Sequence, residues 1–208
     1  MSATPETRSE VESPKRQAVL DAAGSLFMTQ GYGVVSMDAI ARAAGVSKAT
    51  LYAHFASKGQ LFATIILEGC RSNLAVEGFL PEDGADIEPA LVALARGILR
   101  FLLEDRALAI YRVVMSESTR FPELGHAFYE NGPVVFRRVF SAWLSRQATA
   151  GRLEVPESEM AADQFIGLVR GGVYLRASLG LPPPPSPEEI EATVAAAVRT
   201  FLRAYRCA

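Results

Sequence analysis

Ser36-Met-Asp-Ala-Ile-Ala-Arg-Ala-Ala-Gly45-Val-Ser-Lys-Ala-Thr-Leu-Tyr-Ala-His-Phe55 is the stretch whose reading decides the fold. Ser36 and Ser47 each stand where a helix N-cap belongs, and Gly45 stands where a tight turn needs a positive φ. Ile40, Ala41, Ala44, Val46, Leu51 and Phe55 form a small apolar knot at helical spacing. Two short helices folded on such a knot make a helix-turn-helix. With the knot inward, the second helix presents Lys48, Ala49, Thr50, Tyr52 and His54 outward. That set can meet base edges and phosphates: Lys48 at a guanine edge or a phosphate, Ala49 and the Thr50 methyl at thymine methyls. The caps at Ser36, Ser47 and Ser57 also turn backbone N–H groups toward phosphates.

Outward from this stretch the helix signals continue. Pro14 suits the first turn of a helix capped by Ser13, with Val19, Leu20, Ala23, Leu26 and Phe27 on one face and Gly31 as its stop. Ser57 opens a fourth helix, with Gln60 placed to complete a capping box. Further helices are expected at about 88–104, 106–119, 122–130, 133–150, 157–179 and 187–206, with Gly151 and Gly180 as C-terminal stops and Ser186-Pro-Glu-Glu189 as a second capping box. Pro182–Pro185 reads as a stiff spacer, or as a PxxP ligand. Pro81–Asp86 reads as a loop and residues 1–13 as a flexible arm. Sustained period-2 alternation and Asn-Gly or Asp-Gly hairpin turns are missing, so the chain is expected to be all-α. Its expected parts are an arm over 1–13, a helix-turn-helix domain over 14–62 and a helical body over 63–208.

Charge divides the same way. The 208 residues carry a formal net charge of -2, yet every Lys lies between Lys15 and Lys58. Residues 14–60 hold five Lys and Arg against two Asp, whereas residues 61–208 hold 15 Arg against 18 Asp and Glu. A basic end on an acidic body predicts a polyanion contact confined to that end. Cys70 and Cys207 lack metal or redox spacing, which predicts inert thiols in a reducing cytoplasm. No stretch reaches the roughly 20 apolar residues of a membrane span, and no secretory leader pattern opens the chain. HExxH, P-loop and nucleophile-elbow motifs are missing, and Gly31-Tyr-Gly lacks the third glycine and the preceding strand of a nucleotide loop. Neither an enzyme nor a metal or other cofactor is expected. A helical hairpin that binds another protein is the surviving rival reading.

The run Ala44-Gly-Val-Ser-Lys-Ala-Thr-Leu-Tyr-Ala-His-Phe-Ala-Ser-Lys58, preceded by Gly31-Tyr-Gly-Val-Val-Ser-Met-Asp-Ala-Ile-Ala41, resembles the DNA-binding domain of the TetR family of regulators. The resemblance covers residues 14–62. It implies a homodimer whose third helices enter successive major grooves of a palindromic operator in double-stranded DNA, usually as a repressor. By motif position it implies DNA contacts from Ser36, Ser47, Lys48, Ala49, Thr50, Tyr52, His54 and Lys58, with Tyr52, His54 and Lys58 chiefly on phosphates. Two positions depart from the common pattern: Ala49 stands where many members have Gly, and Gly59 where many have an acidic residue. Arg112-Val-Val-Met-Ser-Glu-Ser-Thr-Arg-Phe-Pro-Glu-Leu124 and Phe128-Tyr-Glu-Asn-Gly-Pro133 resemble the C-terminal domain of the AefR-like subset, associated with repressors of efflux and related genes.

The same resemblance implies a cavity for a small, apolar effector in the helical body. Its candidate lining is Phe101, Tyr111, Arg112, Met115, Phe128, Phe136, Gln164 and Tyr174, with other polar residues, Arg170 among them, interleaved. A fully packed core accounts for any one of these residues equally well, and His126 reads as a surface residue. The helices at 133–150 and 157–179 are the candidate dimer seam, through Val135, Val139, Trp143, Gly167, Leu168, Gly171 and Leu175. Gly167 and Gly171 would share one helical face, which equally suits close packing within a single chain.

Overall fold

The computed structural model describes residues 14–73, 80 and 84–207, with side chains of 69–73 excepted. Among them are ten helices: α1 (Pro14–Gln30), α2 (Met37–Ala43), α3 (Lys48–His54), α4 (Lys58–Asn73), α5 (Ile87–Leu102), α6 (Asp105–Glu117), α7 (Pro122–Asn131), α8 (Pro133–Thr149), α9 (Ser158–Ser178) and α10 (Pro187–Tyr205). The only β-type pairing among the described residues is an isolated bridge between Leu153 and Arg206. The all-α expectation is met. The arm over 1–13 with the Ser13 cap, the Cys70 side chain and Pro81–Asp83 of the expected loop lie outside the described residues. The chain divides into two compact units, one ending at Ile65 and one beginning at Ile66.

In the N-terminal unit α1 buries Val19, Leu20, Ala23 and Phe27, while Leu26 is half-buried. Phe27, Tyr32 and Phe62 form an aromatic triangle with centroids 5.2, 5.7 and 5.9 Å apart, distances at which tilted and edge-on rings attract. The α2–α3 turn closes by two bonds, Val46 N–H to Ala41 O at 3.0 Å and Gly45 N–H to Arg42 O at 3.2 Å. This is the Schellman arrangement, and it holds Gly45 at φ +65°, a conformation that disfavours any side chain with a Cβ. The same bond pair ends α8 at Gly151 and α9 at Gly180.

The capping expectations divide. Ser186 and Glu189 form the full reciprocal box on α10. At α4, Ser57 Oγ accepts from Gln60 N–H at 3.1 Å, but Gln60 Oε1 takes the Ala56 N–H at 2.7 Å. The return bond therefore reaches one residue further upstream than the box predicts.

The core of the C-terminal unit is built by α5, α8, α9 and α10. α5 places Leu91, Leu94, Ala95, Ile98 and Leu99 inward at three- and four-residue intervals. Phe140 lies at its centre, within 4.9 to 6.5 Å of Phe136, Trp143, Phe165 and Phe201. Burying an aromatic side chain of this size contributes a few kcal/mol, at about 25 cal/mol per Å² of apolar surface. Arg96 grips Glu191 through two bonds of 2.7 Å, and Arg176 grips Glu189 at 3.0 and 2.7 Å. These half-exposed forks orient α10 against α5 and α9 more than they stabilise, because exposed pairs contribute about 1 kcal/mol or less.

α9 is not the continuous helix expected over 157–179. Gly171 takes φ +49° and ψ −161°, so two helical segments meet there at a kink. A Cβ at Gly171 would lie 3.6 Å from Thr193 of α10 in the same chain, whereas one at Gly167 or Gly172 would meet nothing within 4 Å beyond its own helix among the described residues. Gly167 and Gly171 therefore do not form a single smooth helical face.

Candidate functional site

The helix-turn-helix is assembled as its spacing demands. Ile40, Ala41, Leu51 and Phe55 are buried; Ala44 and Val46 are half-buried at the edge of the knot. Ser36 Oγ accepts from Ala39 N–H at 3.1 Å, and Ser47 Oγ accepts from Thr50 N–H at 3.1 Å. Both caps fix where α2 and α3 begin. The Thr50 hydroxyl lies 2.8 Å from the Ser47 hydroxyl, so it is held against the helix start. Ser36, Ser47, Lys48, Ala49, Tyr52 and His54 are exposed and Thr50 is half-buried. The exposed sides of α3 thus carry a cation, a phenol and an imidazole, none of them needed by the core.

Two lysines have structural partners that the sequence reading did not assign. Lys48 Nζ lies 2.8 Å from Asp38 Oδ1 and donates to Oδ2 at 3.1 Å. The hydrogen bond and charge of Asp38 hold the lysine pKa above its ordinary value, so Lys48 is cationic throughout the neutral range. In the sequence Asp38 is one of two negative charges in the basic segment, and a carboxylate on α2 near a lysine on α3 is the signal for this pair. Lys58 Nζ donates to Tyr32 O at 2.7 Å and Val35 O at 2.9 Å, and sits 4.2 Å from the Tyr32 ring centroid. Lys58, expected chiefly on phosphate, ties down the α1–α2 loop within the protein, its ammonium reaching loop carbonyls and the Tyr32 ring.

The C-terminal unit contains a cavity of about 360 Å³, within the range typical of small-molecule sites. α5 contributes Ile98, Phe101 and Leu102; α6 contributes Ile110 and Tyr111; α7 and α8 contribute Phe128, Tyr129 and Phe136; α9 contributes Ile166, Arg170 and Tyr174; Ile66 of α4 completes the apolar wall. Phe101, Tyr111, Phe128, Phe136 and Tyr174 of the expected lining are therefore brought together. Tyr111 lies 5.4 Å from Tyr174 and 6.1 Å from Phe128, centroid to centroid. Burial raises the Tyr174 phenol pKa, against the opposing pull of Arg170, so the phenol stays protonated.

Three expected lining residues are elsewhere. Arg112 donates to Ser178 O at 2.8 Å and Ala177 O at 2.7 Å, closing the carbonyl end of α9, where a cation also meets the negative end of the helix dipole. Met115 is 61% exposed. Gln164 is exposed and accepts a hydrogen bond from the Tyr205 hydroxyl. Helical spacing alone does not separate these residues from true lining, because it gives no account of which neighbour claims a polar group. Arg170, Ile98 and Ile66 are lining residues that the candidate set left out.

The candidate seam is similarly divided. Trp143 is 1% exposed and stacks on Phe140 inside its own core, so it is not available to a partner. Val135, Val139 and Leu168 are half-buried, and Leu175 is 61% exposed. Cys207 is exposed and donates to Gly151 O. Among the described residues, no group of His, Cys, Asp or Glu is arranged to hold a metal, and no helix is long and apolar enough to cross a membrane.

Residues 19–65 match the family model for bacterial regulatory proteins of the tetR family, and residues 89–207 match that for the AefR-like transcriptional repressor C-terminal domain. The HTH-type transcriptional regulator UidR of Escherichia coli (strain K12) is 32% identical over 111 residues, covering 53% of this chain and 55% of that one. The chain thus matches about half the length of that curated relative. Among solved structures, a TetR-family regulator from Mesorhizobium loti superposes with a TM-score of 0.83 at 28% identity, over 97% of this chain and 100% of that one. The flavonoid-responsive regulator FrrA gives a TM-score of 0.78 at 41% identity, over 92% and 97%. With the helix-turn-helix in place and both parts of the sequence matched, the chain belongs to the TetR family and is a DNA-binding transcriptional regulator with an AefR-like C-terminal domain.

Proposed function

We propose that this regulator is a repressor: a homodimer places its two α3 helices in successive major grooves of a palindromic operator, and a small, largely apolar effector in the C-terminal cavity releases it. The observation that carries this reading is the aromatic-walled cavity of about 360 Å³. A packed core would have no use for such a space, since voids forgo contacts and destabilise. The matched C-terminal model describes repressors, and FrrA responds to flavonoids, which favours an aromatic effector here too.

In this reading Lys48, Ala49 and Thr50 meet base edges, and Tyr52 and His54 meet phosphates, while Ser36 and Ser47 set the pose of α2 and α3. Lys58 supports the loop behind them. The dimer seam runs along α8 and α9 through Val135, Val139, Leu168 and Leu175, joined by Leu179, itself 64% exposed. A stable seam of this kind buries roughly 1,600 Å² or more.

Half-sites one helical turn apart require the two reading helices to stand about 34–36 Å apart. α4 carries Phe62 in the aromatic triangle of the first unit and Ile66 in the cavity wall of the second. A ligand that prefers a different setting of α4 alters the spacing of the reading helices, and DNA and ligand then weaken each other's binding by the same factor. A gel-shift assay with the DNA upstream of the regulator's own gene tests this. Discrete, sequence-dependent shifts that fade with salt and with effector support the reading; unchanged operator affinity at saturating effector contradicts the release step.

A further inference from the structure

Besides apolar side chains and three tyrosines, the cavity wall carries four charged residues: Glu104, Arg106, Asp163 and Arg170. Asp163 faces Arg137 at 3.4 Å, Glu104 has a partner of its own, and Arg106 is exposed. Arg170 is different. Its Nε is buried without a hydrogen-bond acceptor among the described residues, and no carboxylate among them pairs with its guanidinium. Its nearest ring is Tyr174, with the guanidinium carbon 5.3 Å from the centroid. A buried donor without an acceptor is costly, and the guanidinium brings a positive charge to the cavity wall with no carboxylate among the described residues to answer it.

We propose that the cavity is built for an aromatic carboxylate, its planar body against Tyr111, Phe128 and Tyr174 and its carboxylate on the Arg170 guanidinium. This rests on reading the cavity as the effector site and specifies the chemistry of the effector. The guanidinium fork matches a carboxylate in geometry as well as charge. The apolar surround strengthens that pairing by excluding water. Tyr111 and Phe128 accept the body of the ligand through ring contacts.

Isothermal titration of the full-length protein with 2-naphthoate and with its neutral counterpart 2-naphthamide tests the assignment. Naphthoate should bind at least about tenfold tighter than the amide, the margin expected of a charge-assisted bond in a buried site. Arg170→Gln should erase that margin and leave amide affinity within about twofold, which also shows that the variant is folded; Arg170→Lys should retain part of it. Equal affinities in the native protein, undiminished naphthoate binding by either variant, or no binding of either compound overturns the proposal. Because the titration contains no DNA, it is separable from the release reading. Naphthoate that binds through Arg170 yet leaves operator affinity unchanged contradicts release alone, whereas an amide that binds equally and still releases operator contradicts the carboxylate alone.

Discussion

Asp38 Oδ1 of α2 lies 2.8 Å from Lys48 Nζ of α3, so the first cation of α3 is paired within the protein. Both side chains are exposed, with relative areas of 58% and 63%, and the pair exchanges readily with solvent and with phosphate. In Asp38→Asn, Lys48 is freed, and if α3 faces DNA a negative charge leaves that side. Operator and non-specific affinity should both rise several-fold in low salt, read by fluorescence anisotropy. The slope of log K against log salt should steepen by about one for the counterion released. Unchanged affinity and slope would mean that Lys48 does not face the nucleic acid.

Lys58 tests a different role. In Lys58→Met the carbonyls of Tyr32 and Val35 lose their donor, at a cost of about 1–3 kcal/mol for charged bonds. Urea unfolding should move to lower midpoint by that amount. The salt slope of DNA binding, measured where the variant is folded, should stay within a few tenths of the native value. A slope lowered by one with stability intact would return Lys58 to the phosphate.

Trp143 and Leu175 separate the core from the seam. Trp143→Ala removes a fully buried ring and should cost about 3–5 kcal/mol in unfolding measurements, whatever the oligomeric state. Leu175→Glu places a charge on an exposed position and should leave the helical content unchanged. If α9 forms the seam, it should convert dimer to monomer in analytical ultracentrifugation at micromolar protein.

Gly171→Ala asks whether the break in α9 is intrinsic. Space is available, since the nearest contact of the new methyl is an ordinary 3.6 Å to Thr193. The backbone conformation is the obstacle, at roughly 1–3 kcal/mol for a non-glycine residue held there. The variant should lose that stability in calorimetry. If it is instead stabilised, α9 has straightened, and the cavity positions Arg170 and Tyr174 on either side of the break should show altered ligand affinity.

Sequence spacing is enough for the helix-turn-helix because Ser36, Gly45 and Ser47 punctuate it, and each demand is local. Caps, the positive φ and the buried Ile40–Leu51–Phe55 knot all follow from near neighbours in the chain. The cavity was legible only through its aromatic residues. Arg112 and Gln164 had the right periodicity, but carbonyls at the end of α9 and the Tyr205 hydroxyl, distant in sequence, claim them. Arg170 carried the opposite signal, a polar group whose importance comes from having no such claimant. The break at Gly171 was hidden for a related reason: glycine inside a helical pattern is compatible with close packing or with a kink, and only contacts with α10 distinguish them. Lys48 shows the same limit at short range, since its partner Asp38 lies on the preceding helix.

The most direct test is operator binding by the double variant Thr50→Ala, Tyr52→Ala, measured by anisotropy beside a dimer and helicity check. Ser47 still has the Thr50 backbone N–H to cap α3, and Tyr52 is 44% exposed, so the fold should persist. If α3 reads the operator, sequence-specific affinity falls at least a hundredfold, toward the protein's non-specific level. Undiminished, specific binding by a folded double variant would contradict α3 as the reading helix.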